Sequence, residues 1–132
     1  LRLMRHLLLD THIFLWSQFA PAKLTPRLAT LFNSEEVSWH LSQISVLEIQ
    51  IKYDLGKLNL PDTPQQFLPD LIKASGLNFH HLDNNAIFML GKLPQLHRDP
   101  FDRLLIASAL VKGWEIATVD QIFDQYPVQT VH

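Results

Sequence analysis

The chain has 132 residues, 47% of them hydrophobic and 18% charged, which suits one packed domain and excludes a disordered segment. Eleven Lys and Arg against thirteen Asp and Glu give a net charge of −2, which argues against a broad nucleic-acid binder but not against a nuclease whose acids surround metal ions. With no cysteine, disulfides and thiolate metal sites are excluded, and no apolar run nears the ~20 residues of a membrane span. No secretory signal is visible, so the expected location is the cytoplasm. The run Met4-Arg5-His6-Leu7-Leu8-Leu9-Asp10 reads as a protein starting on its first strand. Residues 1–3 would then lie ahead of a single domain spanning 4–132.

Leu7-Leu8-Leu9 is apolar without alternation, as in a strand covered on both faces. Ile13, Phe14, Trp16 and Phe19 follow at helical spacing, so Asp10 ends a buried strand, where open parallel sheets keep their sites. Thr25-Pro26 opens a second helix through Leu28, Leu31 and Phe32. Val37 to Leu41 predicts a second strand, and Ser42 or Ser45 starts a helix in which Ile44, Leu47, Ile51 and Leu55 share a face, ended by Gly56. Glu48 lies on that helix, with Lys52 four residues on. Thr63-Pro64 opens a helix closed by Gly76, with Phe67, Leu68, Leu71 and Ile72 inward and Pro69 disturbing its first turns. Residues 77–82 alternate as a third strand, and Asp83 caps a helix closed by Pro94. The segment His97-Arg98-Asp99-Pro100-Phe101-Asp102-Arg103 leads into a nearly all-apolar, hence buried, helix ended by Gly113. A fourth strand over 114–118, Asp120, a short helix over 121–125 and a last strand over 128–131 complete the chain. Strands alternating with helices, without a hairpin signal, predict a parallel α/β sandwich.

Asp10, Glu48, Asp102 and Asp120 share a setting. Asp10 and Asp120 follow strands that end on one sheet edge, and helices returning over that edge bring in Glu48 and Asp102. Two unit charges about 5 Å apart repel by roughly 3 kcal/mol at an effective dielectric of 20, so facing carboxylates need a cation. Hard oxygen ligands without thiolate or imidazole favour Mg²⁺ or Mn²⁺. Structural readings stay open beside this one: Asp99 as a helix cap, Asp102 as a favourable first-turn charge, Glu48 paired with Lys52, Asp120 in a turn and Asp10 as a cap. His80, His81 and His97 read as polar rim or core residues, not ligands.

The set resembles a PIN domain of the PilT N-terminus type, close to the VapC-like toxins of bacterial toxin–antitoxin pairs. The matching pieces are Leu8-Leu9-Asp10-Thr11-His12 with Leu15-Trp16, then Ser42 and Ser45 to Glu48-Ile49 with Lys52 and Gly56-Lys57-Leu58. They continue with His97 to Ala107 and end with Thr118-Val119-Asp120 and Phe123. The resemblance runs from about Met4 to His132 and implies a three-layer α/β/α sandwich around a mainly parallel five-stranded sheet. It implies a Mg²⁺- or Mn²⁺-dependent endoribonuclease in which Asp10, Glu48, Asp102 and Asp120 hold the metal, with Asp124 as the alternative fourth acid. Thr11, Ser45 and Thr118 would orient the carboxylates, and Arg103, Arg98, Lys52 and Lys57 would grip RNA phosphates. A small antitoxin is the implied partner, and the apolar surplus, including Phe14, Trp16 and Trp39, points to a homodimer. The alternatives are a housekeeping PIN nuclease without antitoxin and a catalytically idle PIN scaffold that binds proteins. A phosphoaspartyl transferase is disfavoured because position 12, where it needs a second Asp, is His.

Overall fold

A computed structural model of the chain describes residues 3–132, so positions 1 and 2 of the segment expected ahead of the domain lie outside the described residues. Five strands, β1 (Arg5–Leu9), β2 (Val37–Ser42), β3 (Asn78–His80), β4 (Glu115–Ala117) and β5 (Thr130–Val131), form one sheet in the order β3-β2-β1-β4-β5. Every neighbouring pair is parallel. The helices between them are α1 (Thr11–Phe19), α2 (Pro26–Phe32), α3 (Gln43–Asp54), α4 (Pro64–Ala74), α5 (Asn84–Met89) and α6 (Pro100–Lys112).

The three leucines of β1 explain the layering. Side chains alternate along an extended strand, so Leu7 and Leu9 join Ile13 and Phe14 of α1, Leu28 of α2 and Leu68 of α4. Leu8 faces the other way and joins Leu105, Ile106 and Ala109 of α6 with Ile116 and Phe123. A central strand covered on both faces therefore reads as an unbroken apolar run, and the sheet lies between two helical layers. Thr25 accepts the Leu28 N–H at 3.2 Å, Asp83 that of Asn85 at 2.8 Å, and Gly113 ends α6 at φ 73°, each as the sequence predicts. The helix α4 runs unbroken from Pro64 to Ala74 with Pro69 inside it.

Four expectations change. The third strand shrinks from 77–82 to Asn78–His80, because this edge strand pairs only with His40 to Ser42. The face of α3 that carries Leu47, Ile51 and Leu55 points outward, with these side chains 46%, 38% and 63% exposed. The inward residues are Ile44, Ser45, Glu48 and Ile49. Helical spacing identified an apolar stripe correctly but could not tell which stripe the sheet covers, and here it covers the one carrying Glu48. The aromatics offered as a dimer surface are largely core: Phe14 and Trp39 are buried and Trp16 is half-buried. Finally, the fourth and fifth strands contract to three and two residues.

On the α6 side of the sheet lies a polar string. His6 Nδ1 is 2.9 Å from His40 Nε2, and His40 Nδ1 is 2.8 Å from His80 Nε2. Trp114 stacks on the buried His40 ring at 3.8 Å between centroids. Burial, then the neighbouring His80, His6 and Lys112, push the His40 pKa down to about 4.

Candidate active site

Three carboxylates from three elements sit buried around the carboxyl end of β1: Asp10, Glu48 and Asp102 are 4%, 2% and 9% exposed. Asp10 is placed by the sheet, since its N–H donates to the Ala117 carbonyl of β4 at 3.0 Å. It occupies the N-cap position of α1, where its carbonyl accepts the Phe14 N–H at 3.0 Å. Its Oδ2 accepts from the Thr118 hydroxyl at 2.8 Å. Glu48 reaches the same region because α3 starts directly from the end of β2, with Ser42 accepting the Ile44 N–H at 3.0 Å. Thr11 donates to Glu48 Oε1 at 2.7 Å, and its hydroxyl lies 2.8 Å from that of Ser45. Lys52 donates to Glu48 Oε2. Asp102 enters from the first turn of α6, whose start is fixed by Asp99 accepting the N–H groups of Phe101 and Asp102 at 2.8 and 3.2 Å. Its Oδ2 lies 2.9 Å from His97 Nε2.

The electrostatics match the burial. Desolvation raises the Asp10 carboxyl above its ordinary range, partly offset by Thr118, and Glu48 raises it further. Desolvation likewise pushes Asp102 up to about 7; His97 opposes this, while the charges of Asp99, Asp10 and Glu48 add to it. Buried acids whose ionised forms are this costly make a place where a cation gains more than it would in water. The donor set is carboxylate oxygen, which fits Mg²⁺ or Mn²⁺.

Not every acid expected here joins the group. Asp120 follows β4 on the same edge, but it is exposed and its carboxylate accepts the Ile122 N–H at 3.0 Å, capping the turn Gln121–Gln125. Its own N–H donates to the Thr118 hydroxyl at 3.0 Å, so it meets Asp10 through one intervening side chain. Asp124 is further committed, to Thr130 and to His132 at 3.1 Å. Arg103 donates to the Leu90 carbonyl at 3.3 Å and so ties α6 to the turn before it, while Arg98 and Lys57 are exposed. The sequence reading set His97 aside, yet His97, Asp99 and Asp102 offer ligand atoms within 4.8 Å of one another. The available signal was position: the six residues from His97 to Asp102 cross a helix start, and the extended chain before Pro100 folds the ring back onto that turn.

A model of the PIN domain family matches residues 7–129, and the chain belongs to that family. No curated protein sequence matches it. Among solved structures it is similar to VapBC2 from Rickettsia felis bound to a promoter DNA fragment, with a TM-score of 0.71, 19% identity, and 96% of this chain and 97% of that one covered. It is similar also to DNA-bound VapBC from Salmonella typhimurium, with a TM-score of 0.65, 17% identity and 98% of each chain covered. FitAcB from Neisseria gonorrhoeae gives a TM-score of 0.63, 21% identity and 96% coverage of each. These likenesses establish the fold. Among the described residues no helix is long and apolar enough to cross a membrane.

Proposed function

We propose that the protein is a Mg²⁺- or Mn²⁺-dependent endoribonuclease acting as the toxin of a toxin–antitoxin pair. The observation that carries this reading is the burial of Asp10, Glu48 and Asp102 around one strand end, with Asp10 and Asp102 raised in pKa. Asp10, Glu48 and Asp102 would hold the metal, with Asp120 able to join by turning from its cap. The ion supplies an acidified water and a positive centre for charge developing on the scissile phosphate. Thr118 would fix the orientation of Asp10, Thr11 (itself in contact with the Ser45 hydroxyl) that of Glu48, and His97 that of Asp102. Arg98 and Lys57 are exposed cations suited to RNA phosphates. In-line attack would leave a 5′-phosphate and a 3′-hydroxyl.

The partner reading rests on a surface and on the company the fold keeps. A further structural neighbour, from Klebsiella pneumoniae, is named as a toxin–antitoxin complex. Between α3 and α4 runs a groove of about 340 Å³ lined by Val46, Pro64, Leu68, Ile72 and Phe79, which suits an apolar segment of a small antitoxin. The exposed Leu47, Ile51 and Leu55 beside it suit a partner or a second copy of the chain. Purified protein should cleave an RNA mixture with Mg²⁺ or Mn²⁺ and stop with EDTA, and Asp10→Asn should be inactive. Expression should slow growth, and co-expression of a small protein encoded next to it should relieve the effect. An Asp10→Asn variant that cleaves like the parent sinks the site assignment, whereas cleavage without toxicity leaves a housekeeping nuclease.

A further inference from the structure

Lys52 stands one helical turn after Glu48 and places its ammonium on Glu48 Oε2. On an exposed face such a pair is a minor contact. Here the carboxylate is buried, and the ammonium also lies in the fields of Asp99 and Asp102. Each buried acid has a partner, but the partners differ in kind. Asp10 accepts from a hydroxyl, and Asp102 from an imidazole that can donate while neutral. Neither needs to leave when a metal arrives. Glu48 alone of the three is held by a permanent positive charge, at the oxygen not taken by Thr11. A divalent ion and an ammonium on one carboxylate repel strongly at low dielectric.

We propose that Lys52 is the site's own counter-cation, seated on Glu48 Oε2 in the metal-free protein and displaced from that oxygen when Mg²⁺ or Mn²⁺ is taken up. Lys52 thereby sets how tightly the site holds its ion, and the inference rests on the metal-dependent reading above. A lysine that simply braces Glu48 for the metal would act in the opposite direction, since its removal would loosen a ligand and weaken binding.

The test is Mn²⁺ titration by calorimetry, in the absence of RNA, of the parent, Lys52→Gln, Lys52→Met and Lys52→Arg. Gln keeps a hydrogen bond to Glu48 without charge, and Met keeps only the stem. Both should bind Mn²⁺ roughly tenfold tighter than the parent, the scale of one partly buried charge contact, and Arg should bind as the parent does. Unchanged or weaker binding in Gln and Met overturns the proposal, and if Met fails to fold, Gln decides alone. A parent that binds Mn²⁺ without any tightening in the variants refutes only this inference. A parent that binds no Mn²⁺ refutes the metal-dependent reading and this inference with it.

Discussion

Asp102→Asn should make the metal-free protein more stable at pH 8. The group titrates near 3.8 when unfolded and about 7 in the folded chain, a gap corresponding to roughly 4 kcal/mol of penalty for the ionised form. The sign follows from linkage: an acid whose folded pKa is raised contributes stability fully below its unfolded value, and that stability fades as pH climbs from about 4 through 7. The variant loses a favourable charge at the α6 N-terminus, about 0.3–1 kcal/mol, while the new amide oxygen can still accept from His97. The net gain at pH 8 is then about 3 kcal/mol, and it should shrink to about 1 kcal/mol at pH 4.5, where the folded carboxyl is protonated while the unfolded one is still mostly ionised. Thermal melts of both proteins in EDTA at the two pH values measure it, at roughly 3–6 °C per kcal/mol for a chain of this size. Mg²⁺ at a thousandfold excess over Kd should reverse the order, because binding then adds about 4.1 kcal/mol and the variant gains less. A variant less stable than the parent at both pH values in EDTA would refute the reasoning and leave Asp102 a helix-start charge.

His40 supplies a titration of the opposite sign: its pKa is lowered from 6.5 to about 4, so stability is present above 6.5 and lost as pH falls, by roughly 3 kcal/mol in full. Comparing Asp102→Asn with Asp102→Asn/His40→Gln between pH 7.5 and 4.5 isolates it, and equal acid losses in the two would remove His40 from the account. Thr118→Val deletes the hydroxyl on Asp10 and on the Asp120 N–H. It should cost about 1–3 kcal/mol by chemical denaturation at pH 7.5 and reduce Mg²⁺-dependent cleavage at least tenfold; a neutral outcome in both assays would mean water replaces the hydroxyl. Leu47→Glu and Leu55→Glu, on the outward stripe of α3, should change stability by less than about 0.5 kcal/mol yet abolish association with a copy or partner in size-exclusion chromatography.

The fold was legible wherever a residue's environment is fixed by local pattern. Leu7-Leu8-Leu9 announced a doubly covered strand, Thr25-Pro26 and Asp99-Pro100 announced helix starts, and Gly113 a helix end. Burial on α3 was only partly legible: of the stripe Ile44, Leu47, Ile51 and Leu55 the fold buries Ile44, and it takes Ser45, Glu48 and Ile49 inward in place of the other three. An enzyme that needs a carboxylate in its interior must turn a polar face inward, and periodicity alone assigns that face to solvent. The same limit hid His97: its contact with Asp102 depends on how the chain bends before Pro100, which no spacing rule encodes. Asp120 was placed on the right edge but not at the right depth, since an acid after a strand reads alike whether it caps a turn or enters a cleft.

These misses share one physical origin, which bears on how stability and activity are linked. Charged groups buried around one strand end oppose folding, and a domain of ordinary stability, about 5–15 kcal/mol, tolerates only a few such penalties. The chain offsets them with fixed donors, Thr118 on Asp10, Thr11 and Lys52 on Glu48, and His97 on Asp102. Hydroxyl and imidazole partners reduce the cost of ionisation without removing it, as the raised Asp10 and Asp102 carboxyls indicate. The remaining penalty is energy that cation binding can recover. A more thoroughly neutralised site would fold more securely and bind its ion less well. Variants that stabilise the metal-free protein by removing an acid should therefore be those that lose most from the metal-bound state.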